Sequence, residues 1–361
     1  MNRRDFLYRS AVGTVAGASY SRADIAFART LSPLSKVRVG VIGAKHAHAA
    51  GKLAAIRDLH DVFELVGVVE PDAEFRKSLE KHPKYRDVRW FTEKVLLASP
   101  NLDAVVIETA VHDLVPTAQR CIDADKHVHL EKPGCESRKA FTNLFESAER
   151  RQRHIQMGYM LRHNPAFEFC CRAVREGMLG RVFEVTGAMS KLVEAKGRKE
   201  FVDYKGGTMF ELGCHLIDAV VAVLGTPTNV NPFSRVTRPD QVLDNQLAVF
   251  EYPEATATIR SSIVEPFGNE RRHFEVSGEN GTIAIRPLEP PHVELVLERP
   301  AGGFTAGRQA IELPASTGRY DGQLREFAAI VRGDVIPRWS ADHDLAVHLA
   351  VLQASGLPTD R

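Results

Sequence analysis

Hydrophobic and polar positions divide the chain into two regimes. Across 36–157, short apolar runs alternate with stretches of helical spacing. The run 36–43 predicts a buried strand closed by a glycine, and 44–58 a helix. The run 63–70 predicts a second strand ending in an acid, followed by helical patterns at 72–81 and 92–98. Further strands are expected at 103–109, 127–130 and 155–159, with helices at 114–124 and 137–151 between them. Strands alternating with helices imply a parallel, doubly wound Rossmann sheet. Ligands in such sheets lie at the carboxyl ends of the strands, here Gly43, Glu70, Thr109 and Glu131.

From 158 to 361 the pattern changes. Helices are expected at 165–176, 320–332 and 341–355, the last returning to pack on the first domain. Alternating runs at 182–192, 246–252, 255–263, 272–276, 282–285 and 292–297 predict a C-terminal α/β domain with an open, mostly antiparallel sheet. Its apolar alternation is the expected surface for homo-oligomer formation. The charged, aperiodic 193–204 reads as a loop over the cleft. Gly206 and Gly207 then open an amphipathic helix running to about Leu224. It carries Glu211 and His215 four residues apart, on one helical face. A carboxylate beside an imidazole is a workable general-base pair; the plainer alternative is a surface ion pair.

Residues 1–30 read as an address rather than as fold. Arg3 and Arg4 precede an apolar pair, and a weakly apolar segment too short to span a bilayer follows. This is the form of a twin-arginine export signal, the alternative being a basic tail. It predicts a periplasmic or otherwise exported protein, folded with any nucleotide cofactor before export.

Composition narrows the function classes. The 361 residues suggest two domains, and a net charge of +1 gives no electrostatic case for nucleic acid or an anionic membrane. The five cysteines have no zinc-like spacing, and a disulfide framework is not expected.

Candidate chemistry gathers at the strand ends. Glu70 is placed to accept hydrogen bonds from a ribose diol and would repel a 2′-phosphate, which favours NAD over NADP; alone it reads equally as a solvated loop acid. The loop Gly43-Ala44-Lys45-His46-Ala47-His48 keeps only the first glycine of the dinucleotide fingerprint. Either Lys45 neutralises a pyrophosphate, with Ala44 and His46 beside it, or the nucleotide sits further out or is no longer bound. His46 and His48 also raise a metal reading, for which no further ligands are placed, so no metal is assigned. Lys132, in Glu131-Lys132-Pro133, is expected to hydrogen-bond a substrate hydroxyl or join proton transfer. Tyr159, Arg162, His112 and Asp218 are candidate substrate contacts, with a domain-joining salt bridge as the alternative for Arg162.

Taken with 37–43, 103–109, 158–167, 177–182, 206–218 and 277–282, the segment 126–133 resembles the glucose-fructose oxidoreductase / inositol dehydrogenase / rhizopine-catabolism family (Gfo/Idh/MocA). The resemblance implies an NAD(P)-dependent enzyme oxidising a secondary alcohol of a carbohydrate or cyclitol. By position it gives Lys132 and His215 to the reacting hydroxyl and Glu131 to the nicotinamide ribose, and puts Glu211 where aspartate is usual. The degraded glycine loop, and Ala110-Val111-His112 after Thr109, depart from the family pattern. Because free NAD is scarce outside the cytoplasm, a tightly held cofactor is expected, or a redox-neutral cleavage through a transient keto-sugar. A non-enzymatic sugar-binding or metal-binding relative is the third reading.

Overall fold

The structure is a computed structural model and describes residues 35–315 and 318–359. The twin-arginine motif lies outside the described residues.

The first domain runs β1 (Val37–Ile42), α1 (Ala49–Asp58), β2 (Phe63–Val69), α2 (Ala73–Glu80), α3 (Glu93–Leu97), β3 (Ala104–Ile107), α4 (Val111–Asp123), β4 (His127–Leu130), α5 (Arg138–Arg150) and β5 (Ile155–Met157). All five strands are parallel, in the order β2-β1-β3-β4-β5. The unbroken Val/Ile/Ala run of β3 and the largely apolar β1 are explained by burial on both faces, as a sheet covered by helices requires. The chain leaves β1 to one side and returns on the other, so a crevice opens beyond Ile42 and Ile107. Gly43 makes the turn there at φ +90°, where a Cβ would lie 2.5 Å from the Thr109 nitrogen.

Helix starts follow side chains that the sequence displays. Asp72, Ser137, Asn164 and Ser340 each accept a backbone N–H of the first turn, and Pro165 occupies the first position of its helix. The helix expected from 44 differs: α1 begins at Ala49. His46 holds the preceding turn, accepting from His48 N on its Nδ1 (3.2 Å) and from Ala49 N on its carbonyl (3.0 Å).

The second domain contains α6 (Pro165–Arg175), β6 (Val182–Ser190), α7 (Ala195–Arg198), α8 (Cys214–Leu224), β7 (Asn229–Arg235), β8 (Asn245–Glu251), β9 (Thr256–Ser262), β10 (His273–Gly278), β11 (Gly281–Leu288), β12 (Pro291–Leu297), β13 (Gly307–Ile311), α9 (Asp321–Arg332) and α10 (Ala341–Ala354). Its sheet has the order β13-β12-β11-β10-β6-β9-β8-β7, antiparallel except between β6 and β9. Strands β7 and β13 were not expected, and α7 lies inside the segment read as a loop. Pro232 interrupts the pattern of β7, which Pro tolerates because β7 is an edge strand.

Helix α10 packs on α5 as well as α8, as expected of the last helix. Helix α9 also returns: Tyr320, Leu324, Phe327 and Ala328 join the apolar cluster formed by β1 and α1. Among the described residues no helix is long and apolar enough to cross a membrane.

Candidate active site

Three segments meet at the crevice: the end of β4, the start of α8 and the turn after β1. Lys132 follows β4 and is buried. Its ammonium donates to Glu211 Oε1 (2.9 Å) and to the Glu211 carbonyl (2.9 Å). Burial alone would push Lys132 down, but Glu211, with Cys214 and Glu131 behind it, more than offsets burial and keeps it an ammonium. For Glu211, burial likewise acts against the charged form, and Lys132 with Lys191 overcomes it, so the group stays ionised.

The expected orientation of His215 by Glu211 is not what the structure shows. Met209–Gly213 forms a π-helical turn ahead of α8, which rotates Glu211 away from the ordinary i,i+4 face. Glu211 faces Lys132, and no hydrogen bond joins it to His215. His215 is buried, and its Nδ1 has no partner, as is also true of Glu211 Oε2. Burial, then the Lys132 charge, holds His215 well below the usual imidazole range, so it is neutral at pH 7. Tyr159 packs edge-on against it, ring centroids 6.1 Å apart.

Beneath these groups lies a cluster that the sequence reading missed. Lys52, on α1, is fully buried and donates to Glu131, to His129 Nε2 (2.7 Å) and toward Glu108 Oε1 (3.0 Å). Ammonium donors fix the tautomers around them. His129 accepts at Nε2 and so donates from Nδ1 to Gln156 Oε1 (2.8 Å), and Gln156 donates in turn to Glu326 (3.0 Å). Burial, then Lys52, lowers His129 to about 3. Glu131 Oε1 accepts from His48 Nδ1 (3.1 Å), which leaves His48 Nε2 with its lone pair. The His48 ring lies 6.2 Å from that of His215 and 5.7 Å from Tyr320. Gly158 is required here: a Cβ would lie 2.8 Å from Glu131 Oε2 and 3.0 Å from Lys52 Nζ. The only signal of this cluster in the sequence was a lysine on the apolar side of α1, where its four-carbon stem passes for a helix-surface residue.

Other expected site residues are placed differently. Glu131 lies fully buried, one oxygen on Lys52 and the other on His48. Lys45 points to solvent, paired with Asp72 (2.9 Å). His112 is exposed at the start of α4 beside Asp113. Arg162 and Asp218 bind each other: the guanidinium gives Asp218 contacts of 2.6–3.1 Å and Asp344 one of 2.6 Å, and stacks between Tyr159 and Trp339. This buried network joins the end of the first domain to α8 and α10 and leaves Arg162 no role facing the cleft.

The nucleoside end of the crevice matches a dinucleotide in part. Glu70 closes β2; Oε2 accepts from Ala44 N (3.0 Å) and Oε1 from Asp72 N (2.9 Å), leaving each oxygen one lone pair for a diol. Gly43 and Thr109 line the same strand ends. At the expected pyrophosphate position the amides of His48 and Ala49 are already bonded to His46. His46 Nδ1 accepts the His48 amide and lies 3.5 Å from Glu108 Oε2, and its Nε2 is buried and unpartnered.

The described cysteines are all free. Two groups, His46/His48/Glu131 and Glu108/His129/Glu131, have metal-compatible spacing. The Lys52 ammonium already sits against both carboxylates and supplies their neutralising charge.

Two family models match: an oxidoreductase family NAD-binding Rossmann fold over residues 37–159, and a GFO/IDH/MocA C-terminal domain over 167–284. The chain belongs to the GFO/IDH/MocA oxidoreductase family. It is an NAD(P)-dependent dehydrogenase of this family. Among GFO/IDH/MocA relatives, D-xylose 1-dehydrogenase (NADP(+)) 2 of Haloferax volcanii is 27% identical over 70% of this chain and 77% of that protein. The scyllo-inositol 2-dehydrogenase (NAD(+)) of Bacillus subtilis is 24% identical over 56% of this chain and 60% of that protein. The aldose-aldose oxidoreductase of Caulobacter crescentus shares the fold at TM-score 0.76 and 19% identity, covering 89% of this chain and 98% of that one.

Proposed function

We propose that the protein oxidises a secondary alcohol of a sugar or cyclitol with NAD, and that it holds the cofactor tightly as an exported enzyme. The observation that carries this reading is the pairing, in one buried cleft, of the Lys132 ammonium with a neutral His215 whose Nδ1 lacks a partner. His215 takes the hydroxyl proton, and Lys132 stabilises the oxygen as negative charge develops on it. Glu211 holds Lys132 in place. The nicotinamide, when bound, accepts the hydride.

Glu70 supports NAD over NADP, because a carboxylate at that point repels a 2′-phosphate. Arg3 and Arg4 support export, and with it a cofactor loaded before translocation. Phe233 and Leu247, paired across β7 and β8 and both exposed, support a second copy of the chain docking on the sheet.

The test is direct. Protein purified from its native compartment is denatured, and the released solution is examined by absorbance and mass spectrometry. Released NAD or NADH at near-stoichiometric amount is the expected result. A dinucleotide-free preparation with no NAD-induced thermal shift overturns the reading.

A further inference from the structure

Hydride transfer from an alcohol needs one base, and His215 provides it. The cleft holds a second imidazole that this reaction does not use. His48 comes from the other domain, on the loop that has lost its glycines. Its Nδ1–H is fixed on Glu131, and Glu131 is fixed in turn by the buried Lys52. The arrangement forces the lone pair onto Nε2, the atom left free to act. The side chain is 14% exposed, so that atom is reachable while the ring stays held by Glu131, His46 and Tyr320. The His48 and His215 rings, 6.2 Å apart and on opposite domains, are spaced to take protons from two adjacent positions of one sugar ring.

We propose that His48 is a second acid–base residue, acting on the carbon next to the carbonyl of a keto-sugar. The proposal rests on the sugar-oxidising reading above, which supplies the ketone. The carbonyl acidifies the neighbouring C–H. His48 Nε2 takes that proton, and the C–H electron pair becomes the double bond of an enolate. Return of this pair expels a substituent β to the carbonyl, whose C–O bond breaks with its electrons on oxygen. The alkoxide takes the proton from the His48 imidazolium, so an alcohol leaves, an enone remains and His48 is restored. The class of reaction is elimination from a keto-glycoside.

The test measures two rates on the same samples. The first is deuterium uptake from heavy water next to the carbonyl of an inosose and of the keto form of methyl glucoside. The second is oxidation of inositol and methyl glucoside with NAD. For wild type, uptake at least ~100-fold above buffer is expected, the usual scale of a positioned base. In His48→Gln the ratio of uptake to oxidation falls about tenfold or more; a ratio of two rates cancels any loss of folded protein. Wild type that oxidises the alcohols without exchange, or a His48→Gln variant with an unaltered ratio, overturns the proposal. Absence of both reactions in wild type removes the sugar-oxidising reading, and this proposal with it.

Discussion

Lys132 and Glu211, from the two domains, form a buried ion pair of 2.9 Å. The pair spans the cleft, so the relative placement of the domains and the charge state of the site are one property. Burial acts against the charge of this lysine at the end of β4, and the carboxylate brought by the second domain is the largest of the groups that favour it.

Glu211→Gln therefore removes the partner and leaves an uncompensated ammonium in the cleft. Loss of one partner of a buried pair costs about 3–5 kcal/mol. The expected result is a clear drop in melting temperature together with a fall of about 10²-fold in kcat, since Lys132 is no longer held at the oxygen. Stopped-flow oxidation and thermal melts read the two effects separately.

Lys52→Met is expected to be at least as destabilising. It leaves Glu108 and Glu131 buried without the ammonium between them, again a loss of about 3–5 kcal/mol. Lys52→Met with Glu108→Gln recovers part of it, because one of the two orphaned charges is gone. Urea melts of the single and double variants check this; an additive outcome contradicts the proposed coupling.

Much of this was legible in advance, and the rest had physical reasons to be hidden. The parallel sheet of the first domain followed from short apolar runs alternating with helical spacing, and the helices at 72–81, 137–151 and 341–355 were read from that spacing. Lys132, His215 and Tyr159 were read from position at strand and helix ends, and the structure brings them together. Lys52 was invisible because a charged residue is expected to face solvent. Its burial depends on three partners from α1-distant strands and loops, none near it in sequence. The partner of Glu211 was misread because a π-helical turn breaks the spacing rule; for Arg162 the structure shows the domain-joining salt bridge, one of its two readings, with acids 56 and 182 residues away.

Acid should weaken the fold early. His129 and His348 are buried and neutral, lowered to about 3 and about 4, by burial first in each case. The unfolded chain binds these protons near pH 6.5 and the native state refuses them. Stability is thus fully present above about pH 6.5 and declines as pH falls toward the folded values. The slope approaches about 1.4 kcal/mol per pH unit for each histidine. Urea midpoints between pH 7.5 and 4.5 measure it, and His348→Gln should flatten the curve if the Cys135 carbonyl bond (2.8 Å) survives.

Glu70→Ala should shift cofactor choice. Removing the carboxylate takes away the diol acceptor and the repulsion of a 2′-phosphate, so the NAD/NADP preference falls by about tenfold or more, the scale of one charged hydrogen bond. Competitive titrations of the two dinucleotides read the ratio. The bonds to Ala44 and Asp72 are lost as well, so the ratio is the relevant quantity rather than either affinity alone.

The central claim is that His215 is the base for oxidation of a sugar-like alcohol. The most direct measurement is single-turnover reduction of bound dinucleotide, followed by absorbance, after mixing with inositols and aldoses, for wild type and His215→Asn. Wild type should reduce its cofactor with at least one of them, and the variant should be slower by 10²–10⁴-fold, the usual contribution of a positioned base, while still binding the dinucleotide. A His215→Asn enzyme as fast as wild type contradicts the account.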